Sequence, residues 1–203
     1  HELTTDLDMC YYDGTRNNYQ PNIYISPNNR TVLSEYYYRS VTPTTINITT
    51  LKSAYTQNLL KGKLGAGYKL SQVVTDNTFN FFNIYGSNEQ LDLTRSNRFE
   101  YTERVIAAYI NYQYTLKKFD LQAGLRMEHT NSEGDLKSAA DTVANKNVKR
   151  QYTNFFPSGG VTFNADKNNS FGLIYSKRID RPNYQELNPF EWKMDELSYM
   201  KGN

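Results

Sequence analysis

Apolar residues recur at every second position along much of the chain. Between Phe119 and His129 the odd positions carry Phe119, Leu121, Ala123, Leu125 and Met127, and the even ones Asp120, Gln122, Gly124, Arg126 and Glu128. A strand puts these two sets on opposite faces, whereas a helix would scatter Leu121, Ala123 and Leu125 around its circumference. The same alternation sets Leu3, Leu7, Met9 and Tyr11 against Thr4, Asp6, Asp8 and Cys10. It sets Leu64, Ala66, Tyr68 and Leu70 against Lys63, Gly65, Gly67 and Lys69. Ile106, Ala108, Ile110, Tyr112, Tyr114 and Leu116 oppose Glu103, Val105, Ala107, Tyr109, Asn111 and Gln113, and Phe155, Val161, Phe163 and then Phe171, Leu173, Tyr175 follow suit. In 45–59, Leu51, Tyr55 and Leu59 share a face while Ile46 and Ile48 fall on the other, so that strand's register stays open. The pattern predicts strands near 2–12, 45–59, 63–74, 98–116, 119–130, 151–164 and 169–179. That is about seven strands, most of them at least twice the ~5–6 residues usual in globular proteins.

The connections sharpen the picture. Leu60-Lys61-Gly62, Lys117-Lys118 and Ala165-Asp166-Lys167-Asn168 are tight and polar or glycine-bearing, as hairpins require. The stretches 13–44, 75–97 and 131–150 are long and rich in Asn, Asp, Ser, Thr and Gly, as is the chain beyond Asp180. They read as loops, and Ser138–Ala144 is the best candidate for a short helix within them. Short and long connections alternate, so an up-and-down meander collects all short turns at one end. That asymmetry is the pattern of an outer-membrane barrel: short periplasmic turns, long extracellular loops and tilted strands of ~9–11 residues. The fold class is therefore all-β, an antiparallel up-and-down transmembrane β-barrel segment. The rival arrangement is a soluble secreted β-sandwich, which alternates in the same way but buries its apolar face against a second sheet.

Composition narrows the function. The longest apolar run, Val105–Ile110, is far short of the ~18 residues a membrane-spanning helix needs. A barrel wall needs only alternate apolar positions, so a chain of negative mean hydropathy is compatible with lipid. The 18 Tyr and 10 Phe suit the two water–lipid boundaries, where a ring with one apolar and one wet end is favoured. Lys+Arg 23 against Asp+Glu 21 is too balanced to point to nucleic acid. With one cysteine, Cys10, no internal disulfide forms, and His1 and His129 are too few for a histidine metal site or catalytic triad. Glu128, His129, Glu133 and Asp135 cluster, but without a calcium-loop pattern. No metal, cofactor or catalytic residue is assigned, and the chain is expected not to be an enzyme. It opens at His1 without an apolar signal segment, so it reads as a mature piece or internal fragment, one partial barrel domain over 1–203.

The stretch Tyr175-Ser176-Lys177-Arg178-Ile179-Asp180-Arg181-Pro182-Asn183-Tyr184-Gln185-Glu186-Leu187-Asn188-Pro189-Phe190, followed after a spacer by Gly202-Asn203, resembles a signature segment of the outer-membrane β-barrel family of Bacteroidota, relatives of the TonB-dependent receptors. Ala123–Thr130 (Ala-Gly-Leu-Arg-Met-Glu-His-Thr) and Phe155-Phe156-Pro157-Ser158 are similar to two of that family's strands, and Tyr38-Arg39 with its Thr-rich sequel also looks like it. The resemblance implies part of a larger barrel in the bacterial outer membrane, with the signal peptide and plug domain absent from this chain. It also implies outer-membrane lipid around it, a TonB-type energy-coupling protein acting through an N-terminal part, and a surface lipoprotein partner. The activity implied is binding and import of a nutrient, a glycan, iron chelate or peptide. The alternatives are a structural or adhesive barrel without TonB coupling and the soluble carbohydrate-binding sandwich.

Candidate ligand contacts, at the lumen or the loop bases, are Arg126, Glu128, Arg178, Arg181 and Tyr184. Arg178 and Arg181 bracket Ile179 beyond the last strand, and Pro182 sets the chain direction. They read either as a cationic lining or as anchors tying the segment to carboxylates, and the second is preferred because charges pointing into a barrel are generally paired. Ile179, Pro182, Leu187, Asn188, Pro189 and Phe190 complete the motif as turn chemistry and loop packing.

Overall fold

A computed structural model describes residues 1–139, 147–193 and 198–202, without the side chains of Tyr184 and 191–193. The elements run β1 (Glu2–Ile25), β2 (Val32–Leu59), β3 (Gly62–Tyr85), β4 (Asn88–Leu91), β5 (Asn97–Leu116), β6 (Phe119–Ser138), β7 (Asn147–Asn164), β8 (Ser170–Ser176), α1 (Tyr184–Leu187), β9 (Glu191–Lys193) and β10 (Tyr199–Lys201). Seven long strands pair antiparallel in chain order, β1-β2-β3-β5-β6-β7-β8, as a half-barrel, and β4 adds to the end of β3. A separate two-stranded ladder joins β9 and β10.

The three short turns fall where the sequence puts them. Leu60 (φ 48°) and Lys61 (φ 63°) are both left-handed, the geometry of a two-residue hairpin turn that follows the strand twist. Lys117 has φ 54° in the β5–β6 turn, and in the β7–β8 turn the Asp166 carboxylate accepts from the backbone N–H of Asn168 and Asn169 at 2.8 and 3.0 Å.

Cross-strand register confirms the two faces. Leu7 opposes Leu51, Leu51 opposes Leu70, Leu70 opposes Ile106, Ile110 opposes Leu125, and Val161 opposes both Leu121 and Leu173. All of these but the half-buried Leu51 stay exposed, Leu125 at 46%, Ile110 at 52% and Leu173 at 78%, because the sheet is a single layer with none of the described residues packed on its outer face. A sandwich would cover them, so the sandwich arrangement is set aside. The apolar band is bounded below by Phe119 and Phe163, ring centroids 4.9 Å apart, and above by Arg104, whose Nε donates to Gln72 Oε1 at 3.2 Å. Beyond Arg104 the outer face turns ionic. Arg98 is bidentate to Asp76 at 2.9 and 2.5 Å and holds that carboxyl below the usual carboxylate range, and Lys137 pairs with Glu100 at 2.6 Å. The apolar band is roughly ten residues tall along the longer strands, the length a tilted bilayer crossing takes.

The strands run on well past that band, which corrects the expectation of long loops. Most of 13–44, 75–97 and 131–150 is strand, and the connections left at that end are 26–31, 86–96 (which contains β4) and the stretch after Ser138. The helix considered at Ser138–Ala144 falls, from Ala140 onward, outside the described residues. The reason is physical: above the apolar band no hydrophobic alternation is needed to keep a ladder going. Polar and aromatic cross-strand pairs take over, such as Tyr19 stacked on Tyr37 at 6.3 Å and Arg39 with Glu89 at 2.7 Å. The last strand departs in the other direction, ending at Ser176 rather than near 179. Lys177 N–H still donates to the Pro157 carbonyl at 3.2 Å, but Pro157 has no N–H to return, so the ladder ends and the chain leaves the sheet.

Candidate functional site

Beyond β8 the chain folds back against the concave face of the sheet. Asn183 caps α1 by accepting from Gln185 and Glu186 N–H at 2.9 and 3.1 Å, while Glu186 accepts from Asn183 N–H at 2.9 Å, a reciprocal capping box. Asn188 Oδ1 then accepts from Phe190 N–H at 3.0 Å. These local bonds turn Leu187 and Phe190 into a buried cluster with Phe99, Tyr101 and Leu136 of β5 and β6. Gly134 is needed beneath it, because a Cβ there would stand 2.6 Å from the Phe99 ring. Burial pushes the Tyr101 phenol up to about 12, so it stays protonated and donates to Glu103 at 3.0 Å.

Lower on the same face, residues two apart on β6 point inward together. Arg126 Nε donates to Glu128 Oε1 at 2.6 Å, and Arg181, arriving from beyond β8, donates through Nη2 to Glu128 Oε2. Glu128 is only 9% exposed. Tyr152 of β7 also bonds Arg181, whose Nε is buried without a partner among the described residues, as is Thr130 Oγ1. The structure thus brings Arg126, Glu128 and Arg181 together as a knot that ties the returned segment to the wall. Arg178 is exposed and is not among its partners, and the side chain of Tyr184 is not described. Two guanidinium groups already share the Glu128 carboxylate, so the arrangement suits an anchor better than a site for an anionic ligand.

Glu128→Gln is expected to loosen the 181–190 segment by about 2–3 kcal/mol, between the ~0–1 of an exposed pair and the ~3–5 of a buried one. Amide exchange in that segment checks it. Arg181→Gln should act alike, and the double variant should lose no more than the worse single one.

Above the knot lies a cavity of about 1080 Å³ that the sequence reading missed. Its walls are 12–20 of β1, 40–46 of β2, 77–81 of β3 and Asn97, and Gln185, Asn188 and Met200 of the returned segment border it. A signal was present. Odd, inward positions turn apolar at Val73, Phe79 and Phe81 of β3, while its even positions stay apolar at Val74, Phe82 and Ile84, and on β5 the inward Phe99 and Tyr101 follow suit. Those inward positions mark where apolar side chains begin to face the interior as well. Among the described residues no group of three or more His, Cys, Asp or Glu is placed to hold a metal.

The family model described as "Outer membrane protein beta-barrel family" matches residues 1–203. A comparison with curated protein sequences finds no match. Two solved structures are similar at 12% identity. One is the ferric citrate transporter FecA in its unliganded form, with TM-score 0.48 over 80% of this chain and 25% of that one. The other is the ferric yersiniabactin uptake receptor FyuA from Yersinia pestis, with TM-score 0.37 over 79% of this chain and 33% of that one. The chain therefore spans about a quarter to a third of the length of these two proteins.

Proposed function

The chain belongs to the outer membrane protein beta-barrel family of the bacterial outer membrane, and on that premise we propose that it forms part of the wall and external rim of a transporter that binds and imports a nutrient with energy from a TonB-type coupling protein. The observation that carries this reading is the division of labour between the two faces. The outer face is apolar over a bilayer's height, whereas the inner one is lined by polar groups, with Lys52 between Asp6 and Asp8 at 3.8 and 3.4 Å, and opens upward into the cavity. A purely structural wall has no need of a large recess on its concave side. The inward-folded segment supports the reading too, since it narrows the path and helps to form the recess. The role is binding and conduction rather than catalysis, and a surface lipoprotein fits as a partner at the rim.

Deletion of the gene, and separately of the coupling protein, is expected to abolish uptake of the same nutrient by intact cells. Uptake unchanged by either deletion would leave the adhesive or structural barrel as the better reading.

A further inference from the structure

We infer that the outer face carries, at the top of its apolar band, a site for the phosphate of an anionic lipid headgroup, built around Arg104. Cross-strand register sets Thr49, Gln72, Arg104, Asn131 and Gln151 side by side in one row across β2, β3, β5, β6 and β7, all outward and all exposed. The row below opens with Leu51, Leu70 and Ile106, part of the apolar band. The rows above hold Glu133 opposite Lys149, and then Asp76, Glu100 and Asp135. Arg104 thus stands at the level where hydrocarbon gives way to headgroups, whatever the barrel imports.

Pairing sets Arg104 apart. Directly above it, Arg98 is held by Asp76 and Glu100 at 2.5 and 2.9 Å, Lys137 by Glu100 at 2.6 Å and Lys149 by Glu133 at 2.6 Å. Arg104 forms no ion pair among the described residues, and its hydrogen bond to them runs from Nε to Gln72 Oε1. The terminal N–H groups of its fork are left for an acceptor outside the sheet. An arginine at a lipid boundary lays its apolar stem along hydrocarbon and lifts its guanidinium to the interface. There the planar fork matches two oxygens of a phosphate. Gln72 and Asn131 flank it at the ~4.8 Å strand spacing and add amide donors for further oxygens. The neighbouring outward carboxylate, Glu133, is already neutralised by Lys149 and offers little repulsion. This end of the strands is the one with the longer connections, so the headgroup belongs to the outer leaflet.

The test is native mass spectrometry of the full-length protein in detergent, titrated with phosphatidylglycerol, phosphatidylcholine and a phosphate-free galactolipid of equal chain length. Phosphatidylglycerol is expected to bind about fivefold more tightly than either neutral lipid, the effect of one cation beside an anionic headgroup. Arg104→Gln should remove that preference and leave the two neutral lipids as they were. Arg104→Lys keeps the charge without the fork and should weaken the preference about twofold. It serves if the first variant does not fold, and a preference it leaves untouched counts against the site. Equal binding of all three lipids, or a preference that survives Arg104→Gln, overturns the inference. Displacement of phosphatidylglycerol by inorganic phosphate also overturns it, since the site would then belong to the free ion. No import step is read, so failure of the import reading leaves this result standing, and the reverse holds too.

Discussion

Phe99→Ala is expected to release the returned segment from the wall. Phe99 is fully buried and joins Tyr101 and Leu136 on the sheet to Leu187 and Phe190 on the segment. Truncating a buried phenylalanine costs about 3–5 kcal/mol, the lost transfer free energy plus the cavity left behind. Here the cavity cannot collapse easily, because Phe99 sits on a paired strand and the space below it belongs to the Gly134 backbone. The loss should fall on the contact between segment and sheet, since the β5–β6 ladder itself keeps its hydrogen bonds. Hydrogen exchange of the 183–190 amides is expected to quicken by about a hundredfold or more, at 1.4 kcal/mol per factor of ten. Exchange across 106–116 should stay as it is. Unchanged protection of 183–190 would show that the cluster does not hold the segment.

The second large effect lies on the opposite face. Leu125 points outward, opposite Ile110 and Pro157, about midway between the Phe119–Phe163 pair and Arg104. Leu125→Arg is expected to cost about 2–4 kcal/mol, the penalty for a cation facing lipid near the bilayer midplane. Gln113→Arg, on the inward face, is expected to change stability by no more than about 0.5 kcal/mol. Urea titration of the full-length protein refolded into lipid vesicles reads both. The contrast depends on the face alone, since both positions tolerate an exposed side chain in water. Equal effects at the two positions would contradict the assignment of the faces.

Where the bilayer acted on the sequence, the fold was open to reading. The run from Phe119 to Met127 has to alternate because every second side chain meets hydrocarbon, and the turns at Leu60-Lys61 and Lys117-Lys118 have to be short and polar. Above Arg104 that pressure ends. The extended hairpins there carry Tyr19, Tyr37, Arg39 and Asn77, residues equally suited to loops, and their strand character comes from partners far away in sequence. The off-parity Ile46 and Ile48 are explained by the same boundary. Register pairs Ile48 with Cys10 and Val73, and Ile46 with Tyr12 and Thr75, so both isoleucines face inward.

The candidate site was legible in part. Arg126, Glu128 and Arg181 stand out in the sequence by charge and motif, and the structure places both guanidinium groups on the one carboxylate. Arg178 carries the same charge in the same motif yet stays outside the knot, a difference that no spacing rule supplies. Asn97, Phe81 and the rest of the cavity wall went unnoticed, because an Asn or a Phe has no chemistry of its own until its surroundings are known.

The sequence by itself determined the period of the strands, which face of each meets lipid and where the tight turns lie, because those features answer to solvent one residue at a time. Tertiary structure alone decided how far the hairpins rise above the membrane, that the chain turns inward after Ser176, and that a large recess forms between the sheet and the returned segment. Each of these depends on which distant backbone or side chain arrives opposite, and such pairings exist only once the sheet has formed.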